Sequence, residues 1–216
     1  MLLLIVFNAC ENPELPQGFQ QIDEVIPELE IELRYATENN FTGRIIEGYH
    51  NPKLVLTKKA LYALKKAQND FNTIGFKLKL LDGYRPQKAV NFFTSWIENK
   101  YDTLNKMEFY PNLSKQALID SGYIAKKSGH SRGSTVDVTL VYLYGDKKEL
   151  EIDMGGKWDY FGKLSWINFD EITDQQKENR LLLKRIMNQN GFKSYSKEWW
   201  HFTLENEPYP TTYFDF

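Results

Sequence analysis

Only three histidines occur in the 216 residues, His50, His130 and His201, and two of them stand near acids. His130 lies in the small-residue run Ser128-Gly-His-Ser-Arg-Gly133, and Asp137 follows shortly after it. Glu198-Trp-Trp-His201 repeats the pairing near the C-terminus. The single cysteine, Cys10, excludes a disulfide framework and a thiolate zinc knuckle, so a metal centre here must mix imidazole with carboxylate. That mixture suits a catalytic zinc with a fourth position open to water better than a closed structural site. Zinc brings the pKa of water toward ~7, and a nearby carboxylate can take the proton as attack develops. His130, Asp137 and His201 are therefore the candidate ligands for one Zn²⁺ per chain, with Glu198 the candidate base. His50, in Tyr49-His-Asn-Pro52, lacks such a partner and reads as a surface or turn histidine.

These residues need elements to hold them. Val136, Val138, Leu140 and Tyr142 share one face over 134–144, which predicts a strand with Asp137 on the face of Thr135 and Thr139. A carboxylate in mid-strand is costly unless solvated, hydrogen-bonded or bound to a metal. Trp199 to Leu204 is aromatic and β-rich, a second strand. Residues three apart on a strand point to opposite faces, so Glu198 and His201 can share a site only if Glu198 precedes the strand or a bulge intervenes.

Upstream, Leu29, Ile31, Leu33 and Tyr35 alternate with charged residues as a half-buried strand does. Thr57 caps a helix with an apolar face of Ala60, Leu61, Leu64, Ala67 and Phe71, stopped by Gly75. Phe76, Leu78 and Leu80 form a strand running into Asp82-Gly-Tyr-Arg-Pro86. Pro86 opens a helix lined by Val90, Phe93, Trp96 and Ile97. Gly145-Asp146 predicts a hairpin into 149–153. Thr173 and Gln176 form a capping-box pattern for a helix carrying Leu181, Leu182, Arg185, Ile186 and Gln189, ended by Asn190-Gly191. Helices mixed with hairpin-connected strands predict a single α+β domain with an antiparallel sheet flanked by helices.

A formal charge of −2 with interspersed signs leaves no footprint for nucleic acid and no polybasic membrane patch. Met1–Phe7 is apolar but far shorter than the ~20 residues a membrane-spanning helix needs. Followed by Asn8-Ala9-Cys10, it reads as a bacterial lipoprotein signal with Cys10 as the lipidated residue. Residues 1–18 are thus assigned to a signal and short tether, and 19–216 to the catalytic domain. This places the domain in the periplasm or cell envelope on a lipid anchor, or in the cytoplasm where the signal is not used. No feature of the sequence sets an oligomeric state.

Together these segments resemble the VanX-type D-alanyl-D-alanine dipeptidases, zinc peptidases sharing the fold of the zinc D,D-carboxypeptidases and the Hedgehog signalling domain. The resemblance runs from about Phe19 to Phe216. It is carried by Arg34-Tyr-Ala-Thr37 with Asn40-Phe-Thr-Gly43, by Asp82-Gly-Tyr-Arg-Pro86 with Ala89-Val-Asn91, and by Ser128-Gly-His-Ser-Arg-Gly-Ser134 with Asp137. Met154-Gly155 with Asp159, Gly191-Phe192, Glu198-Trp-Trp-His201, Glu207-Pro-Tyr-Pro210 and Tyr213-Phe-Asp-Phe216 complete it. The resemblance implies zinc on His130, Asp137 and His201, with Glu198 as general base and then proton donor. It implies Arg85 as the cation facing the oxyanion of the tetrahedral intermediate, supported by Asp82. Asp159 would hold the amino terminus of a small dipeptide substrate, and Tyr35 and Ser128 would line its pocket. Gly156-Lys157 is a local departure that could alter pocket width. Two other functions stay open at this point. One is a D,D- or L,D-carboxypeptidase acting on peptidoglycan stems; the other is an inactive zinc-bearing binding module, which would need neither Glu198 nor Arg85.

Overall fold

The computed structural model describes residues 15–216, so Cys10 and the apolar run before it lie outside the described residues. Among the described residues there are seven strands and five helices: β1 Phe19–Gln21, β2 Glu30–Ile31, β3 Val55–Thr57, α1 Lys58–Asn72, β4 Phe76–Asp82 and α2 Gln87–Glu98 come first. Then follow α3 Lys106–Phe109, α4 Lys115–Asp120, β5 Thr135–Tyr142, α5 Asp174–Gln189, β6 Phe192–Tyr195 and β7 Glu198–Leu204. A five-stranded sheet runs in the order β2-β4-β5-β7-β6, and β1 pairs with β3 in a separate ribbon. All pairs of the large sheet are antiparallel except the short edge pair β2–β4. The expected α+β fold is present, with one parallel edge added.

Local chemistry accounts for the helices. Thr57 Oγ1 accepts from the Ala60 amide to start α1, whose predicted apolar residues are all buried. The reciprocal capping box of Thr173 and Gln176 starts α5. The buried face of α5 differs from expectation: it comprises Arg180, Leu183, Ile186 and Met187, while Leu181 is half exposed. A one-position shift around the helix separates the two readings, because the apolar signal runs through consecutive leucines and cannot choose between neighbouring faces. The strand expected through Tyr35 shrinks to β2, and a 3-10 turn covers Arg34–Ala36. Tyr35 leaves the sheet edge to pack among Phe41, Tyr49, Phe93 and Trp158. The hairpin expected at 149–153 is reduced to isolated bridges, Val141 with Glu151 and Tyr142 with Lys148.

The main core lies between the sheet and the helices. A smaller aromatic cluster of Phe19, Val55 and Tyr84 gathers Leu15, Tyr209, Phe214 and Phe216 from the two ends of the described chain. Leu15 packs there and the Gln17 carbonyl accepts a bond from the Tyr209 hydroxyl. That cluster backs the 3-10 turn Gly129–Arg132: the Phe214 amide donates to the Ser131 carbonyl and Arg132 pairs with Glu207 at 2.8 Å.

Candidate active site

Three neighbouring strands set the site. Asp82 on β4 stands opposite Asp137 on β5, and Asp137 stands opposite His201 on β7, so the three form one cross-strand row. His130 comes from the turn just before β5. The required bulge exists: Ser194 pairs with Phe202 but Tyr195 pairs with Glu198, so β7 accommodates extra residues between Glu198 and Phe202. Glu198 and His201 consequently share a side, with Glu198 Oε2 3.5 Å from His201 Nδ1.

His130 Nε2, His201 Nδ1 and Asp137 Oδ1 form a triangle with edges of 3.4, 3.3 and 3.1 Å. Ligand atoms around a tetrahedral ion with bonds of ~2.0–2.1 Å stand roughly 3.3–3.4 Å apart, so the triangle has the size of one face of a zinc site. Asp137 Oδ1 is buried without a hydrogen-bond partner, as expected of an atom reserved for a cation. His130 Nδ1 lies 2.8 Å from the Gly83 carbonyl, which can only accept, so that nitrogen carries the proton and Nε2 presents its lone pair. Among the described residues these three form the group able to hold a metal ion.

The surrounding charges are fixed in place. Asp82, fully buried, accepts from Tyr49 at 2.6 Å and from Arg85 Nε at 2.9 Å, with Arg85 Nη2 ion-paired to it at 2.8 Å. Arg85 also lies over the Tyr35 and Phe93 rings at 4.9 and 5.4 Å, with Nη2 3.8 Å from Asp137 Oδ2. Burial alone would weaken its charge, but Tyr35, Asp82 and Asp137 around it hold the guanidinium fully protonated. Burial likewise opposes ionisation of Asp137, and it is positive charge on the His130 and His201 side that holds its carboxyl far below the usual range. For Glu198 the balance is reversed: burial followed by the Asp137 charge outweighs Arg85 and Lys197 and pushes it up to about 8. Asp159 is raised well above its ordinary value, first by burial and then by Asp137. It receives the Tyr35 hydroxyl at 2.6 Å and adopts the left-handed conformation, with φ of 59°.

A cavity of about 200 Å³ joins these groups, smaller than the ~300–1,000 Å³ typical of drug-sized ligands. Tyr35, Arg85, Ser128, His130, Asp137, Asp159, Glu198 and His201 all reach its wall. Asp82 sits behind Arg85, and the Ser128 hydroxyl caps the His130 turn by accepting the His130 amide at 3.3 Å. His50 is exposed, as expected.

Sequence reasoning overlooked Tyr123, Phe161 and Tyr195 on the wall, which come from an irregular stretch, a loop and an unrecognised strand. It also overlooked the Trp158 indole, which donates to Asp137 Oδ2 at 3.2 Å. The pairing of Trp158 with the adjacent Asp159 was the available signal.

Comparison with known proteins identifies relatives of this chain. The D-ala-D-ala dipeptidase family model matches residues 16–216. The D-alanyl-D-alanine dipeptidase of Enterococcus faecalis is 41% identical over 202 residues, covering 94% of this chain and 98% of that protein. A Streptomyces coelicolor protein of the same name is 42% identical over 198 residues, covering 92% and 96%. Among solved structures, the LdcB LD-carboxypeptidase aligns over 91% of this chain and 72% of its own at 15% identity and a TM-score of 0.46.

Proposed function

The chain belongs to the D-ala-D-ala dipeptidase family, and we propose on that footing that it is a zinc peptidase hydrolysing D-alanyl-D-alanine to free D-alanine, in cell-wall peptide metabolism or glycopeptide resistance. The observation carrying this reading is a single small cavity that joins a zinc-sized triangle of ligand atoms to a buried carboxylate suited to an ammonium group.

His130, Asp137 and His201 would hold zinc, which when bound would supply Lewis acidity at the scissile carbonyl, bring the pKa of water toward ~7 and draw Glu198 back toward its carboxylate form. Glu198 accepts the proton of the attacking water on its carboxylate and returns it to the leaving amine. Arg85, pinned by Asp82, presents a fixed cation to the charge that develops on the carbonyl oxygen, with no reorganisation at the moment of reaction. Asp159 receives the substrate's ammonium group, while Tyr35 and Ser128 line the pocket. A buried carboxyl that ionises opposite an arriving ammonium group favours a dipeptidase over a carboxypeptidase, whose substrate continues as an amide at that end.

A panel of D-Ala-D-Ala, L-Ala-L-Ala and an N-acylated tripeptide ending in D-Ala-D-Ala tests this with zinc-loaded protein. The free D,D-dipeptide should be cleaved far faster than the others. Equal or faster cleavage of the acylated tripeptide would make the chain a carboxypeptidase, and inactivity on all three with zinc bound would make it a binding module.

The proposal extends to location. An apolar run ending in Ala9-Cys10 supports a lipid anchor on Cys10 that holds the domain at the cell envelope. Membrane fractionation of wild type and Cys10→Ala checks it: equal distribution of the two would remove the anchor.

A further inference from the structure

Arg180 is a buried charge with no part in the reaction described above. It stands on α5 at 1% exposure, and burial lowers its pKa to about 10, so it remains a cation at neutral pH. Its guanidinium is satisfied by backbone: Nε donates to the Met154 carbonyl at 2.6 Å, Nη1 to Trp166 at 2.8 Å and Nη2 to Leu164 at 2.8 Å. Desolvating a guanidinium is expensive, and an aliphatic side chain would fill the same helix face without that cost. What the planar fork adds is a grip on several carbonyls at once.

Those carbonyls belong to the two ends of one loop, 154–166. Between them sit Trp158, whose indole holds Asp137 Oδ2, and Asp159, held in its left-handed conformation by the Tyr35 hydroxyl. A non-glycine residue in that conformation persists only where its surroundings over-determine it. The clamp is close-fitting: a Cβ on Gly156 would stand 3.1 Å from the Leu164 side chain and 3.5 Å from Arg180 Nη2.

We propose that Arg180 is a positioning residue for amine recognition, clamping both ends of the 154–166 loop so that Asp159 is set against Tyr35 and Trp158 against Asp137. This rests on the reading of Asp159 as the ammonium anchor. Arg180 touches neither substrate nor metal, and its effect is on substrate discrimination.

Arg180→Met and Arg180→Lys, with Leu183→Ala as a buried control on the same helix, test the proposal. Zinc content, hydrogen exchange of the 154–166 loop, and KM and kcat on free and N-acetylated D-Ala-D-Ala are measured. In the Arg180 variants the loop should exchange faster, and KM for the free dipeptide should rise about ten- to hundredfold, the scale of an ångström-sized misplacement. Preference over the acetylated dipeptide should fall by a similar factor, with one zinc per chain retained at saturating zinc. Leu183→Ala should lose thermal stability but keep that preference. Wild-type loop exchange and preference in the Arg180 variants, or equal loss of preference in Leu183→Ala, would overturn the proposal. Where Arg180→Met fails to fold, Arg180→Lys carries the same comparison, since it keeps the charge while losing the three-way grip. A wild type that cleaves both dipeptides equally would defeat the Asp159 reading instead, and loop exchange would still decide whether Arg180 clamps the loop.

Discussion

Asp137 shows how much one side chain can be specified by its neighbours. Its Oδ2 accepts the Trp158 indole and faces Arg85, while Oδ1 faces two imidazole nitrogens and has no hydrogen bond. The carboxylate is thereby turned to offer one oxygen to a metal. With three protein ligands there is no redundancy, so His130→Ala, Asp137→Ala and His201→Ala should each lose stoichiometric zinc. Metal analysis of the purified variants decides it, and full occupancy in any one would remove that residue from the ligand set. Glu198 lies beside the triangle without belonging to it. Glu198→Gln should therefore retain zinc while kcat falls by ~10²–10⁴, the usual contribution of a general acid–base group. Near wild-type turnover with zinc bound would exclude Glu198 as the base. The ligand residues were legible because histidine is scarce here and each of the two stands near an acid. Trp158 and Arg180 were not, since an indole and a guanidinium spaced along a chain look like core and solvent residues until folding shows their partners.

At the scale of elements, the α1 and α5 starts were legible because capping is local: Thr57 and Thr173 act within three residues of themselves. Strand lengths were not, because pairing depends on distant chain. Tyr35 continues an alternating pattern yet turns away from the sheet for an aromatic pocket whose members lie as far off as Trp158. The bulge in β7 was foreseeable from chemistry alone, since Glu198 and His201 must meet.

The turn before β5 depends on Gly133, at φ of 75°, where a Cβ would stand 2.2 Å from the Phe19 ring. Left-handed strain of roughly 1–2 kcal/mol adds to overpacking of about 1–3 kcal/mol, so Gly133→Ala should cost about 2–5 kcal/mol. Gly75 has a similar φ of 85° but open space around it, so Gly75→Ala should cost only the strain, roughly 1–2 kcal/mol. Urea denaturation of the pair separates the two contributions. Equal losses would mean that Phe19 simply moves aside.

For the whole molecule, the decisive quantity is the charge enclosed around the cavity. Asp82, Asp137, Asp159 and Glu198 are all buried, and Arg85 is the cation packed among them, Lys127 lying at the exposed rim. Four acids around one buried guanidinium cannot all ionise without further positive charge, because an unpaired buried charge costs several kcal/mol, and burial accordingly pushes Glu198 up to about 8 and Asp159 well above its ordinary value. A dication on the triangle and an ammonium group at Asp159 would supply that charge, so metal binding should stabilise the fold as well as enable catalysis. Zinc that binds the native state alone adds RT ln(1 + [Zn]/Kd), about 4 kcal/mol at a thousandfold excess over Kd. For a domain near this size, each kcal/mol moves Tm by ~2–4 °C, so chelation should lower Tm by roughly 8–16 °C. The shift should reverse when zinc is restored and should grow with zinc concentration. Asp137→Asn serves as the comparison, since it removes one buried negative charge and weakens the ligand set together. It should unfold at nearly the same temperature with and without zinc, and above the chelated wild type if enclosed charge is the source of the instability. A chelated wild type as stable as the zinc-loaded protein would show that the four acids are accommodated without a metal, and the electrostatic account of the cavity would fail.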